Sequence, residues 1–254
     1  EAKTLAENGY EEVVLTGIHV ASYGKDLKDE DTKLLDVIKQ INNIEGIKRI
    51  RTSSVEPILF TDEFVSEVSK MEKVMPHYHL SLQSGCDETL KRMNRRYTTA
   101  QYKEIVDKLR KEIPNVAITT DVIVGFPGET EEEFEKTYNF LKDIGLSQMH
   151  IFKYSPRKGT KAADMENQVS PQIKHERSEK LLQLNKENFM KFASKSVGKE
   201  FEVLFEQKVG DDKYEGLTPN YLKTFVTCDE DICGKIMKVK ITEVKDEYVE
   251  GILV

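Results

Sequence analysis

The stretch Val124-Gly125-Phe126-Pro127-Gly128-Glu129-Thr130 has the makings of a ligand-binding turn. An apolar run beginning at Val116 passes into glycine and proline and then into an acidic helix start. Gly125 and Gly128 let backbone approach a ligand closely, Pro127 fixes the turn, and Thr130 with Glu133 spells a capping box. A helix start can cradle phosphate. Here Glu129, Glu131, Glu132 and Glu133 crowd it with negative charge, which favours a neutral or zwitterionic, nucleoside-like ligand over a polyphosphate. Other residues able to make polar contacts are Gly17 and His19, then Ser53, Glu56, Gln83 and Asp121, all expected on neighbouring strand ends. Arg95 offers a planar guanidinium that binds a carboxylate through two hydrogen bonds. Each has a plainer alternative: His19 caps a turn, Gln83 satisfies buried backbone, Asp121 anchors the sheet, and Arg95 with Arg96 forms a solvated helix face.

Cys86, Cys228 and Cys233 are too few for a disulfide scaffold and suit a reducing cytoplasm. Cys228-Asp229-Glu230-Asp231-Ile232-Cys233 has two thiols without a third soft ligand nearby, so no metal ligand is assigned, and no catalytic residue either. The formal net charge of -7 argues against a general nucleic-acid coat. Between Thr89 and Lys111, however, Lys91, Arg92, Arg95, Arg96, Lys103, Lys108, Arg110 and Lys111 stand against only Glu104 and Asp107, a basic band suited to phosphates. No apolar stretch approaches a membrane span and no signal-peptide pattern opens the sequence.

The elements that must position these groups alternate. Strands are expected at residues 12–16, 48–53, 77–83, 116–124 and 147–154, and helices at 33–43, 62–71, 87–112 (as a pair) and 131–144. Such βα units make an α/β fold with a parallel sheet and its functional loops at one edge. Five strands do not close the usual eight-stranded barrel. Residues 2–9 read as a helix with no strand before it, and a segment in front is expected to have been cut away. Ser155-Pro156-Arg157-Lys158-Gly159-Thr160-Lys161 forms a loop, and Ser170-Pro171 opens a long amphipathic helix to about Ser194. Five short antiparallel strands follow at 200–207, 213–217, 221–227, 235–243 and 247–253, the pattern of a small β-barrel. Two domains are therefore expected, 1–194 and 195–254. Tyr214, Tyr221 and Phe225 either stack on bases or fill the small core.

Five ordered motifs resemble the radical S-adenosylmethionine methylthiotransferases: Leu15-Thr16-Gly17-Ile18-His19-Val20-Ala21-Ser22-Tyr23-Gly24, Arg51-Thr52-Ser53-Ser54-Val55-Glu56-Pro57, Leu80-Ser81-Leu82-Gln83-Ser84-Gly85 with Lys91-Arg92-Met93-Asn94-Arg95-Arg96-Tyr97, the 124–130 turn, and Tyr154-Ser155-Pro156-Arg157 with Gly159-Thr160 and Ala162. The first two motifs and Gln83-Ser84-Gly85 most resemble the branch that acts on threonylcarbamoyladenosine in tRNA. The isopentenyladenosine branch usually reads Gly-Gln-Asn-Val-Asn in the first motif, and the ribosomal-protein branch differs at the first and second. Cys86 stands where the family has serine.

The resemblance implies a partial βα (TIM-like) radical SAM barrel followed by a TRAM domain, an RNA- or protein-binding module. It implies S-adenosylmethionine as cofactor and tRNA as partner, with no membrane and no DNA, and a cytoplasmic enzyme. Two [4Fe-4S] clusters belong to the intact parent. None is expected here, because the family's Cys-x-x-x-Cys-x-x-Cys loop does not occur in this sequence, and the chain alone is expected to be inactive. The chemistry implied is reductive cleavage of S-adenosylmethionine to a 5′-deoxyadenosyl radical, hydrogen abstraction from an adenine carbon, and sulfur insertion, with a second cofactor molecule supplying the methyl group. Gly17 and His19 would lie near the methionine amino group, Gly125 and Phe126 at the adenine, and Arg95 at the cofactor carboxylate. Ser53, Gln83 and Asp121 would also serve the cofactor, and Glu56, Arg157 and Lys158 the substrate. Two readings from other classes stand beside this one: an RNA-binding module with a dead barrel, and a metabolic barrel enzyme using Glu56 and His19 as an acid–base pair.

Overall fold

Apolar residues recur every second position in the strands and every third or fourth in the helices, and both kinds of element form close to where that periodicity asks for them. The structure, a computed structural model, describes residues 1–24 and 32–254. In chain order the elements are α1 (Ala2–Glu7), β1 (Glu12–Leu15), α2 (Leu34–Asn42), β2 (Arg49–Thr52), α3 (Asp62–Val68), β3 (His77–His79), α4 (Asp87–Arg92), α5 (Thr99–Glu112), β4 (Ala117–Val124), α6 (Glu131–Ile144), β5 (Gln148–Lys153) and α7 (Pro171–Ala193). They are followed by β6 (Glu200–Lys208), β7 (Lys213–Leu217), β8 (Lys223–Thr227), β9 (Ile236–Val244) and β10 (Val249–Leu253).

β1 and β2 pair in parallel, as do β3, β4 and β5. Single parallel bridges at Ile50–Val74 and Val55–Leu80 join the two groups, so five strands follow one another in sequence order. Ile118, Val122 and Val124 turn one face of β4 into the main core with Leu80, Tyr102, Phe134 and Leu141, beneath the helices. The intervening residues Thr119 and Asp121 share the opposite face with His77 and His79. Capping boxes start α5 at Thr98 and α6 at Thr130, and Gly145 ends α6 in the left-handed region.

β3 is shorter than the expected 77–83. Beyond His79 the ladder is broken by a side chain: the Thr120 hydroxyl donates to Leu80 O at 2.6 Å and accepts from Leu82 N at 2.9 Å, and Gln83 then takes φ +73°. Parallel pairing resumes only at Gln83–Val122.

The carboxyl-terminal strands close into a barrel in the order β10-β8-β7-β6-β9. Four neighbouring pairs are antiparallel, but β8 and β10 run parallel, through Val249–Thr224 and Glu250–Phe225. An all-antiparallel ring needs an even number of strands, so five cannot close without one parallel seam. Tyr214, with 1% of its surface exposed, belongs to this core. Phe225 stacks edge-on against Tyr248.

This barrel is seated against β2 and β3. Arg49 donates to Leu217 O and Glu202 O, and Arg51 donates to Thr218 O and Pro219 O, both at 2.9 Å. Glu12 balances the Arg51 charge at 3.0 Å. Tyr221 stacks flat on His77, ring centroids 3.9 Å apart, beneath the Arg51 guanidinium.

Candidate functional site

Parallel pairing brings the ends of the strands to one edge. Ser53 N bonds Leu15 O, Val55 N bonds His79 O, Gln83 N bonds Asp121 O and Tyr154 N bonds Val124 O, each at 2.9 Å. Gly17, Ser53, Gln83, Gly125 and Tyr154 therefore stand in order along the carboxyl ends of the sheet. Tyr97 reaches the same edge from the loop after α4, its hydroxyl donating to Ser81 O at 3.0 Å and Leu82 O at 2.8 Å. Burial pushes that phenol up to about 12; the Arg95 charge opposes the rise and the Glu56 charge adds to it.

Several polar atoms at this edge are buried with nothing to bond. They are Ser53 Oγ, Thr52 Oγ1, Arg95 Nε and the Tyr154 hydroxyl. Each such group costs about 1–3 kcal/mol when left unsatisfied, so a cluster of them at strand ends fits a polar ligand such as S-adenosylmethionine. Arg95 Nε is a free donor suited to a carboxylate, and Phe126, edge-on to Tyr154 with centroids 5.3 Å apart, supplies an aromatic wall.

The 124–130 turn is more self-contained than its sequence suggests. Gly125, at φ +71°, leaves no room for a Cβ because the Lys174 side chain lies across it, and its amide donates to Glu129 Oε2 at 2.7 Å. Glu129 is buried and pairs with Arg177 at 2.7 Å; burial raises its pKa, and the Gly125 amide and Arg177 oppose that rise. Glu131 also pairs with Arg177, and Glu133 caps Thr130 and binds Arg92. The acidic crowding expected at this helix start is thus largely neutralised. The basic band is spent in a similar way: Arg92 pairs with Glu133, Lys103 with Asp107, Lys108 with Asp62 and Lys111 with Glu112.

Asp121 lies within β4 rather than at its end. Its carboxylate sits 3.4 Å from His79 Nε2, and His150 packs edge-on against His79 with centroids 5.6 Å apart. Thr119 Oγ1 bridges His77 Nε2 and His79 Nδ1, each at 3.1 Å. Burial holds the His79 pKa below the usual imidazole value, partly opposed by Asp121. Sequence reasoning passed over this histidine group; the alternation His77-x-His79 beside Thr119-x-Asp121 was its one signal. Gly17 and His19 are exposed, as is Glu56, and the imidazole of His19 touches no carboxylate among the described residues. Arg157 and Lys158 are exposed in the segment after β5, and no side-chain hydrogen bond or ion pair joins them to Ser53 or Gln83.

An iron–sulfur cluster finds no donor set here. Cys86 is buried beside Glu88, Cys228 and Cys233 belong to the small barrel, and no group of three or more His, Cys, Asp or Glu suited to a metal occurs among the described residues. No helix among them is long and apolar enough to cross a membrane.

Residues 1–141 match the Radical SAM superfamily, and residues 194–254 match the TRAM domain. The chain is 43% identical over 256 residues to threonylcarbamoyladenosine tRNA methylthiotransferase MtaB of Bacillus subtilis, covering 99% of this chain and 56% of that protein. It is equally similar, 43% over 256 residues, to the tRNA-2-methylthio-N(6)-dimethylallyladenosine synthase of Thermoanaerobacter pseudethanolicus, covering 100% of this chain and 54% of that protein. The chain therefore spans about half the length of the curated relatives it matches. Among solved structures, coproporphyrinogen III oxidase (HemN) from Escherichia coli, a radical SAM enzyme, aligns with a TM-score of 0.52 at 14% identity over 73% of this chain and 51% of that one, a likeness of fold.

Proposed function

The chain belongs to the radical SAM superfamily, and we propose that it is the carboxyl-terminal part of a cytoplasmic tRNA-modifying enzyme that places a methylthio group on N6-threonylcarbamoyladenosine beside the anticodon. Residues 1–194 form the partial barrel with its linking helix, and residues 195–254 the TRAM-like barrel. The rest of the parent supplies the cysteines for two [4Fe-4S] clusters, which this chain's own residues do not provide.

Identity does not choose between the two tRNA branches, since both relatives stand at 43%. The observation that carries the choice is the polar, exposed set assigned to the nucleoside, Glu56, Arg157 and Lys158. A threonylcarbamoyl group brings a carboxylate, a hydroxyl and a urea, so it can pair with such groups. A dimethylallyl group would cover them without pairing them, a mismatch that a hydrogen-bonding site rejects strongly.

On this reading, Ser53, Gln83, Arg95 and Asp121, with Gly17, His19, Gly125 and Phe126, hold the cofactor, whose sulfonium supplies the radical and methyl chemistry. Glu56, Arg157 and Lys158 meet the modified nucleoside. Purified full-length parent given S-adenosylmethionine and tRNA bearing either nucleoside is the test. It should methylthiolate the threonylcarbamoyl form, and product confined to dimethylallyl tRNA would reassign the branch.

A further inference from the structure

At the end of the strands opposite to the ligand edge lies a cleft of about 440 Å³, floored by Val116 and Ser147 at the starts of β4 and β5 and walled by the last turns of α6 and α7. Arg110, Lys142, Lys191 and Lys195 line it against a single carboxylate, Asp143. Many of the chain's lysines sit in ion pairs, among them Lys39, Lys103 and Lys136. The ammonium groups of Lys142, Lys191 and Lys195 have no ion pair or hydrogen bond among the described residues.

A helix carboxyl end ordinarily repels anions through its free carbonyls. Here the carbonyls of Ile144 and Gly145 accept from the Arg110 guanidinium at 2.8 and 2.7 Å, so that end is covered by a permanent cation. In the same cleft Asn188, 9% exposed, keeps its Nδ2 buried without an acceptor. The free protein bears the cost of that lone donor, on the order of 1–3 kcal/mol. A donor awaiting an acceptor, beside three unpaired ammonium groups, is complementary to phosphate oxygens. Phe192 on the same wall gives a nucleoside an apolar surface, and Asn220 carries the lining onto the small barrel.

We propose that this cleft holds a phosphodiester segment of the RNA substrate, remote from the strand ends where the modified base is treated. This rests on the tRNA reading above. Its role is to fix the register of the RNA, since phosphate contacts position without reading sequence.

The test is tRNA binding by the 254-residue chain over a salt series, read by fluorescence anisotropy. The triple variant Lys142→Gln, Lys191→Gln, Lys195→Gln should lower the slope of log affinity against log salt by roughly two to three units, about 0.7–0.9 per lost contact. The same charge change at Lys3, Lys48 and Lys70 should leave it unaltered. Asn188→Leu removes the lone donor, so it should weaken RNA binding severalfold while thermal stability holds or rises. An unaltered slope in the triple variant, or an equal fall in the control, overturns the cleft while leaving the tRNA reading intact. Absence of tRNA binding by the wild-type chain would count against both.

Discussion

His77 joins the two halves of the molecule, and its protonation state is coupled to folding. Burial, with Arg51 and the neighbouring histidines, pushes its pKa down to about 3 from an ordinary 6.5. The unfolded chain therefore takes up a proton near pH 6.5 that the folded chain refuses. The associated stability is complete above pH 6.5 and is lost as pH falls from there towards 3, by up to about 1.4 kcal/mol per unit. Urea unfolding at pH 7.5 and pH 5 should show His77→Gln relieved of roughly 2 kcal/mol of the acid loss seen in the wild type; a variant with the full wild-type dependence would show that this imidazole does not titrate with folding. Arg51 offers a second test at this scale. Arg51→Met removes the closer of Glu12's two cationic partners, leaving Arg49 at 3.7 Å, and breaking such a buried pair costs about 3–5 kcal/mol, on the order of 10 °C in Tm for a chain of this size. Adding Glu12→Gln should restore part of the loss, and a Tm within a degree of wild type in the single variant would contradict the latch.

At the scale of elements, α6 (Glu131–Ile144) and β7 (Lys213–Leu217) form over the residues that their apolar period and flanking turns indicate, because the determinants are local: a capping threonine, a terminal glycine, a strand bounded by polar turns. The shortened β3 was not legible in this way, since it depends on the Thr120 hydroxyl meeting Leu80 and Leu82 across the sheet. Nor was the parallel β8–β10 seam, although counting five strands in a closed ring would have required it. Of the candidate site, the common edge for Ser53, Gln83 and Gly125 could be read from alternation alone. The His79–Asp121 pair and the Arg49 and Arg51 latch could not, because their partners lie 42 residues away in one case and 150 or more in the other. In the small barrel, a Cβ on Gly216 would strike the Leu204 carbonyl and the Val203 side chain. Gly216→Ala should destabilise it by about 1–3 kcal/mol. Hydrogen exchange checks this: protection should fall across residues 200–254 while β4 stays protected, and uniform loss would mean that the two parts unfold as one.

For the whole molecule, three dispersed cysteines cannot supply three thiolates to one cluster. Anaerobic treatment of this chain with iron and sulfide should leave it without a stable [4Fe-4S] centre, and stoichiometric iron with a thiolate-to-iron charge-transfer band would refute that. A parent that acts on RNA gives the two parts a shared purpose: a strand edge with polar atoms awaiting a ligand, and a small barrel locked against β2 and β3 by Arg49, Arg51 and Tyr221. The most direct measurement is the nucleoside content of bulk tRNA after deletion of the parental gene, by digestion and mass spectrometry. The methylthio form of N6-threonylcarbamoyladenosine should vanish while its unmethylthiolated precursor rises. Loss of the dimethylallyl derivative instead, or an unchanged nucleoside profile, would contradict the account.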